Sequence, residues 1–245
     1  MVTGASSGIG AATAAELARL GASVALVARR TERITDLASQ INSSGRGKAL
    51  AITADITQEP QARSAVERVV SELGRLDTLV NNAGVMLLGP AVGAPLSEWQ
   101  RMVDLNVLGL LYTTHAALEH LLEAAAGEPR GVADIVNVSS VAGRVARSGR
   151  AVYNASKHGV GAFSEALRQE VTRRHVRVSL VEPGATATEL RSHNRPEILE
   201  RQNTRFAGVQ IMEATDIAET IAFIVTRPRH VAVNEVLIRP TEQEN

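Results

Sequence analysis

The regular alternation of apolar, β-branched runs with amphipathic segments constrains the fold of this chain more than any other feature. The strand-like runs are Ser23–Ala28, Ala49–Ala54, Thr78–Asn81, Ala133–Ser139, Arg177–Glu182 and Glu235–Arg239. Helical spacing of apolar residues is found at Ile9–Leu20, Glu32–Ser43, Pro60–Leu73, Ser97–Ala126, Val152–Arg174 and Ala214–Thr226. Runs that are apolar throughout are typical of strands buried on both faces. Their alternation with helices predicts an α/β fold in one domain over residues 1–245: a doubly wound parallel sheet of about seven strands with helices on both faces.

Two segments depart from this alternation of strand-like and helical patterns. The Ser97–Ala126 stretch is long, and we expect two helices there, broken near Leu105–Asn106. From Ala185 to Val209 the chain is rich in charge and only weakly periodic. A long insertion after a strand end is usually functional, and open α/β sheets bind ligands at strand ends. We therefore expect a substrate lid at about 185–213, with a solvated surface helix as the alternative interpretation.

Charge and composition narrow the classes of partner. The chain has 26 Lys and Arg against 26 Asp and Glu, so its charge favours neither nucleic acid nor an anionic membrane as a partner. It contains no cysteine, which excludes disulfides, thiolate chemistry and cysteine metal sites, and we predict no metal. No apolar run approaches the roughly 18 residues of a membrane span, and no leader pattern opens the sequence. These observations predict a soluble, cytoplasmic protein that acts on a small molecule.

The segment Thr3–Gly10 has glycines at positions 4, 8 and 10 and leads directly into the first helical pattern. Glycine permits positive φ in such a turn, and the helix that follows directs free N–H groups at a phosphate. An ordinary glycine-rich turn is the alternative. We expect a cofactor pyrophosphate here, in contact with residues of the turn: Gly4, Ser6, Ser7, Gly8 and Ile9.

The end of the second strand indicates which cofactor is bound. An acidic residue usually holds the ribose 2′-hydroxyl of NAD at this point. The chain has Arg29 and Arg30 instead, and a guanidinium group suits the 2′-phosphate of NADP(H), although both arginines could simply be solvated at a helix start. Further cofactor contacts are expected at the ends of the third and fourth strands: Asp55 and Ile56 at the adenine, and Asn82, Ala83 and Gly84 at the ribose and ring.

Tyr153 and Lys157 are four residues apart in a helical pattern, so they share one helix face. A neighbouring ammonium favours the phenolate and lowers the pKa of a tyrosine, which would make Tyr153 an acid/base near neutral pH. Ser140, with Ser139 as a competitor, ends the fifth strand run and could donate to a substrate oxygen. Asn106 sits at the expected helix break, where a freed carbonyl could hold a water near Lys157.

Motifs in a fixed order along nearly the whole chain resemble those of the short-chain dehydrogenase/reductase family, in its compact single-domain type. They are TGASSGIG at 3–10, NNAG at 81–84, LNVLG around Asn106, NVSSVAG around Ser140, YNASK at 153–157 and EPGATAT at 182–188. The resemblance implies a Rossmann fold, a catalytic tetrad of Asn106, Ser140, Tyr153 and Lys157, and NADP(H) as cofactor. It also implies cofactor contacts after the sixth strand, from Pro183, Gly184, Thr186 and Thr188.

The resemblance implies an oxidoreductase that interconverts a carbonyl compound (an aldehyde or ketone) and an alcohol by hydride transfer, with Tyr153 as acid/base. The stretches 81–90, 163–172 and 234–243 further resemble the branch with clavulanate dehydrogenase, serine 3-dehydrogenase and 3-hydroxy acid dehydrogenase. Only Met1 and Val2 precede the glycine turn, so we expect a shorter first strand than the family has. Two alternatives are an epimerase or dehydratase that returns the hydride, and a non-catalytic regulator or scaffold.

Two further expectations concern the substrate pocket and assembly. Residues expected to line the pocket are Met86, Leu87, Val141, Gly143, Arg144, Arg147 and Arg191. A homotetramer or homodimer is expected because the helical stretches 106–126 and 152–174 carry apolar residues on more than one side. Examples of these residues are Leu108, Leu111, Ala117, Leu121, Val160, Phe163 and Leu167.

Overall fold

The computed structural model describes residues 1–205 and 208–244, and of 201–203 and 205 only the backbone. Seven parallel strands form one sheet in the order β3-β2-β1-β4-β5-β6-β7. Their bounds are β1 Val2–Thr3, β2 Ser23–Ala28, β3 Lys48–Thr53, β4 Thr78–Asn81, β5 Ala133–Val138, β6 Val176–Pro183 and β7 Glu235–Ile238. The order reverses between β1 and β4, which opens a crevice at their carboxyl ends. The predicted doubly wound α/β fold is confirmed, and β1 is as short as expected.

Helices connect the strands and cover both faces of the sheet. They are α1 Gly8–Arg19, α2 Thr31–Ser44, α3 Glu59–Leu73, α4 Leu96–Val103, α5 Gly109–Ala126, α6 Ala151–Val171, α7 Pro196–Arg205 and α8 Ala214–Val225. Apolar residues of α3, α5 and α6 pack on one face, and those of α1, α2 and α8 pack on the other. Each face thus has its own core, which explains why the strands are apolar throughout.

The structure differs from the sequence prediction in two helical regions. The predicted break near Leu105–Asn106 is a π-helical turn, Asp104–Leu108, that joins α4 to α5 as one continuous helical course. The segment of the predicted lid contains a 3-10 turn, Glu189–His193, and helix α7. Residues 206 and 207 of that predicted segment lie outside the described residues. The sequence showed only weak periodicity over α7, and a surface helix there was the alternative interpretation.

A buried polar network ties the helices of one face to the sheet. Asn81 at the end of β4 donates to Asn137 of β5 at 2.9 Å, and Asn137 donates to Ser164 of α6 at 2.8 Å. Thr113 of α5 donates to the Asn81 side-chain oxygen at 2.7 Å. Because a buried polar group without its partner is costly, these bonds fix α5 and α6 relative to the strand ends.

The residues expected at a subunit interface are divided between two environments. Ala117, Leu121, Val160 and Leu167 are buried within the chain itself, whereas Leu108, Leu111 and Phe163 are half-buried. Only this second group offers apolar surface to another subunit, and the assembly stays a prediction. Among the described residues, no helix combines the length and apolar character needed to cross a bilayer.

Candidate active site

One deep cleft lies at the carboxyl ends of the strands, at the crevice between β1 and β4. It is lined by the glycine turn, the ends of β2 to β6, the start of α6 and the segment after β6. Every predicted cofactor contact borders this cleft. They are Gly4, Ser6, Ser7, Gly8, Ile9, Arg29, Arg30, Asp55, Ile56, Asn82, Ala83, Gly84, Tyr153, Lys157, Pro183, Gly184, Thr186 and Thr188. The topology therefore brings residues from six separate segments to one site, although their roles remain predictions.

The glycine turn fits a closely approaching ligand. Gly4 and Gly8 have φ values of 66° and 53°, a conformation that favours glycine. A Cβ atom at Gly10 would lie 2.5 Å from the Asn82 side-chain nitrogen, so the turn packs tightly against the end of β4. Helix α1 begins at Gly8, so the end of the helix with free N–H groups lies at the cleft. Such groups stabilise a bound anion. The turn thus has the backbone of a phosphate-binding site.

Arg30 is held over the glycine turn by its own hydrogen bonds. Its guanidinium donates to Ser6 Oγ at 2.9 and 3.0 Å and to Ser7 Oγ at 2.7 Å. The Glu189 carboxylate, from the segment after β6, accepts from Arg30 at 2.7 Å and from Arg33 at 2.5 Å. Hydrogen bonds from Arg33 and Arg30 lower the pKa of Glu189 to about 2, so this group is a carboxylate at neutral pH. An anion thus already lies where we predicted that a 2′-phosphate binds.

The neighbouring Arg29 is less constrained. Its guanidinium is 60% exposed and lies 3.8 Å from the Asp55 carboxylate. Asp55 accepts from the Thr57 backbone N–H at 3.1 Å and from its hydroxyl at 2.8 Å. It therefore stabilises the turn after β3, while α3 begins later, at Glu59. This local role accounts for an aspartate at this position and leaves the predicted adenine contact as a prediction.

The Tyr153 and Lys157 side chains meet on the cleft face of α6. The Lys157 ammonium lies 6.0 Å from the Tyr153 ring centroid and donates to the Val138 carbonyl at 2.8 Å. Burial lowers the pKa of Lys157 to about 8. Burial also raises the pKa of Tyr153, against a hydrogen bond from Ser140 and the charge of Arg150, which lower it. The charge of Arg150 thus lowers the tyrosine pKa, and the same effect of Lys157 stays a prediction.

The two candidate serines are separated by their hydrogen bonds. Ser139 Oγ donates to the Lys157 carbonyl at 3.1 Å, which attaches the end of β5 to α6. Ser140 Oγ accepts from the Ala142 backbone N–H at 3.1 Å and also bonds Tyr153. Both serines border the cleft, but the hydrogen bond that lowers the Tyr153 pKa comes from Ser140. The geometry agrees with the preference for Ser140 over Ser139.

Asn106 lies in the π-helical turn, behind the cleft lining. Its side-chain oxygen accepts from the Val85 N–H at 2.8 Å, and its amide donates to the Val85 carbonyl at 2.9 Å. The amide also lies 3.2 Å from Ser156 Oγ of α6. Asn106 therefore clamps the chain after β4 against α6, between Tyr153 and Lys157. The π turn lies where the sequence predicted a break, and the helical course continues through it.

The predicted substrate pocket is only partly assembled by the fold. Met86, Val141 and Arg191 line the cleft, whereas Leu87, Gly143, Arg144 and Arg147 are not among its described lining residues. For Arg144 the prediction is wrong because this side chain bonds the buried Glu182 at 2.5 Å and also Glu235, at the β6–β7 edge. Arg147 lies in a separate shallow depression near the start of α6. An ion pair across the sheet edge is not visible in the local sequence.

Arg150 and Asn194 are among the residues at the site that were not identified from the sequence. Arg150 lines the cleft directly before α6, three residues from Tyr153, and helical spacing could have revealed it. Asn194 is buried, accepts from the Leu88 N–H at 2.7 Å and donates to the Met86 carbonyl at 2.9 Å. It fastens the segment after β6 onto the 86–88 loop. No local pattern reveals Asn194, because its partners are more than 100 residues away.

Comparison with known proteins connects this geometry to a family. The model of the short chain dehydrogenase family matches residues 1–199. The chain is 37% identical to sulfoacetaldehyde reductase 2 of Chromohalobacter salexigens, over 99% of this chain and 94% of that protein. It is 39% identical to glycine betaine reductase of Emericella nidulans, but it spans only 19% of that longer protein. The closed form of serine dehydrogenase complexed with NADP+ superposes with a TM-score of 0.86 at 29% identity, covering 100% of this chain and 95% of the other.

Fold and comparisons together define a class, the oxidoreductases built on a single-domain Rossmann fold. Within that class, the chain belongs to the short chain dehydrogenase family. The likeness to serine dehydrogenase agrees with the branch expected from the sequence. Among the described residues, no group of three or more His, Asp or Glu side chains could hold a metal ion.

Proposed function

We propose that the protein is an NADP(H)-dependent oxidoreductase that interconverts an aldehyde or ketone and the corresponding alcohol, with Tyr153 as the acid/base. The observation that carries this proposal is the convergence of Ser140, Tyr153 and Lys157 in the cleft that also contains the glycine turn and Arg30. When bound, the nicotinamide cofactor supplies or accepts the hydride. The residues of the chain bind and orient the cofactor and the substrate, and they exchange a proton with the substrate.

Each catalytic side chain has a role that follows from its surroundings. The Ser140 hydroxyl donates a hydrogen bond to the substrate carbonyl oxygen, and the Tyr153 phenol delivers a proton to that oxygen. Burial, which raises the tyrosine pKa, keeps the phenol protonated and ready to donate in the direction of reduction. In the direction of oxidation the phenolate accepts the proton, and the Arg150 charge favours that form.

Lys157 and Asn106 complete the proposed site. The Lys157 ammonium donates to the Val138 carbonyl, and its proposed role is to bind the hydroxyls of the nicotinamide ribose. Asn106 holds the chain after β4 against the π turn, and its proposed role is to hold a water that returns the proton. The preference for NADP(H) rests on Arg30 and Arg29, which stand at the strand end where NAD enzymes have an acidic residue. We also propose that residues 185–213, fastened by Asn194, act as the substrate lid.

The decisive experiment is the Tyr153→Phe variant. Phenylalanine keeps the ring that packs in the buried site but removes the only phenol there. We expect turnover of an aldehyde to be lost, while the affinity for NADPH stays close to that of the unaltered protein. Absorbance at 340 nm measures turnover, and fluorescence titration measures NADPH binding.

A matched control is Tyr112→Phe, because Tyr112 is the other tyrosine of the chain, lies on α5 and is not among the described residues that line the cleft. Its turnover should be unchanged. Substantial turnover by correctly folded Tyr153→Phe would end the proposed chemistry. An epimerase or dehydratase would instead convert substrate with no net change in NADPH absorbance.

A further inference from the structure

The charges that line the cleft are unevenly distributed. Among the described lining residues, the two carboxylates are Asp55 and Glu189, and both face arginines at the end near β2. The cationic side chains of the lining are Arg29, Arg30, Arg101, Arg150, Lys157 and Arg191. The end of the cleft that contains Tyr153 is therefore cationic, with no carboxylate among its described lining residues.

Backbone hydrogen bonds fix the position of Arg150 close to Tyr153. Arg150 is the residue immediately before α6, and its carbonyl accepts from the Asn154 N–H at 2.7 Å. The carbonyl of the preceding Gly149 accepts from the Gly89 N–H at 2.9 Å. Its half-buried side chain lines the cleft less than one helical turn from Tyr153, and its charge lowers the pKa of that phenol. Arg150 thus borders the same cleft as the phenol at which the proposed substrate oxygen binds.

The remaining walls at this end are largely apolar. They include Val85, Met86 and Leu88, which pack in one apolar cluster with Tyr153, and Val141. A guanidinium in such a setting is strongly attractive to an anion, because water screens the interaction less than it does at an open surface. Its planar fork also matches the oxygens of a carboxylate or sulfonate with two parallel hydrogen bonds.

We propose that Arg150 binds an anionic oxygen group of the substrate, a carboxylate or a sulfonate, so that the enzyme acts on short oxo acids and hydroxy acids. The inference rests on the proposed function, since it names the substrate class of the same site. It agrees with the printed names of two similar proteins, because sulfoacetaldehyde contains a sulfonate and serine a carboxylate. Arg191 lies on the turn that also holds Glu189 against Arg30, and we assign it to the cofactor side of the cleft.

The test compares two aldehydes that differ in charge and little in shape, 4-oxobutanoate and its methyl ester, with NADPH as reductant. The measured quantity is the ratio of their kcat/KM values, anion over ester. In Arg150→Gln this ratio should fall about 10- to 150-fold, which corresponds to the roughly 1.5–3 kcal/mol of a hydrogen bond to a charged group. Arg150→Lys should give an intermediate fall, because lysine keeps the charge without the fork.

The matched control is Arg147→Gln, an arginine three residues earlier in the same loop and outside the cleft. Its ratio should equal that of the unaltered enzyme. A second readout is the pH profile of alcohol oxidation. Removing the Arg150 charge should move the rise in rate to higher pH, because the tyrosine pKa increases. A purely structural role of Arg150 would not produce that movement.

The outcomes separate this inference from the proposed function. If the unaltered enzyme reduces both aldehydes and Arg150→Gln keeps the ratio, the inference is overturned and the function stands. A fall in the ratio that appears in Arg191→Gln and not in Arg150→Gln also overturns it. If neither aldehyde is reduced, the proposed function fails for this class, and calorimetric binding of succinate to the NADP+-loaded enzyme tests Arg150 directly. Sulfoacetaldehyde is assayed separately. Whether its kcat/KM or that of 4-oxobutanoate is larger decides between a sulfonate and a carboxylate as the preferred group.

Discussion

Replacing Arg30 tests whether the chain selects NADPH by a competition between two anions. In the structure, Arg30 is hydrogen bonded to Ser6, Ser7 and the Glu189 carboxylate. A bound 2′-phosphate would take the place of Glu189 and gain roughly 1.5–3 kcal/mol from a charge-assisted hydrogen bond. The ion pair that it replaces is about 40% exposed on both sides and is worth at most about 1 kcal/mol. Arg30→Ala should therefore weaken NADPH binding by about 1–2 kcal/mol, or roughly 5- to 30-fold.

Glu189→Gln should have the opposite effect on the affinity for NADPH. Without the carboxylate, the phosphate no longer competes for Arg30 and Arg33, and NADPH should bind up to about fivefold more tightly. NADH has no 2′-phosphate, so both variants should change its affinity much less than that of NADPH. Arg29→Ala should act like Arg30→Ala but more weakly, because its side chain is more exposed.

The assay is fluorescence titration with NADPH and with NADH, at low and at high ionic strength. Salt should reduce the differences between the variants, because the pairs are exposed. Arg19→Ala is a suitable control, since Arg19 is likewise in an exposed ion pair, with Glu16, but lies outside the cleft lining. The reasoning is refuted if Arg30→Ala weakens NADPH and NADH equally, or if Glu189→Gln weakens NADPH.

Two other substitutions test the energetics of buried polar groups. Lys157→Met should raise the melting temperature of the cofactor-free protein at pH 7 by a few degrees, because burial of the ammonium lowers its pKa from 10.5 to about 8 and costs on the order of 3 kcal/mol. The unaltered protein should itself gain stability from pH 8 to about 10.5, where the unfolded state binds more protons, and calorimetric scans that show no such gain would contradict this reading. Asn194→Ala leaves the Leu88 N–H and the Met86 carbonyl without their partner, at a cost of about 1–3 kcal/mol for each group. Steady-state kinetics should show a larger rise in substrate KM than in NADPH KM, and an equal rise in both would argue against a lid fastened at this residue.

Much of the fold could be predicted because it depends on local patterns. Continuous apolar runs identify strands buried on both faces, and the predicted β2 and β4 coincide with the observed strands. The positions of the glycine turn and of the Tyr153–Lys157 pair depend on spacings within one turn or one helix, which the sequence displays directly. The π turn at Asn106 was also signalled, as a break in a long helical pattern.

The rest depended on contacts between distant parts of the chain. Glu189 reaches Arg30 across 159 residues, and Asn194 reaches Leu88 across 106 residues. The same packing turns Arg144 away from the cleft towards Glu182. Local periodicity determines which elements form and which face of each is buried. Only the packed tertiary structure determines which charged side chains meet, because their pairing depends on how those elements are placed in space.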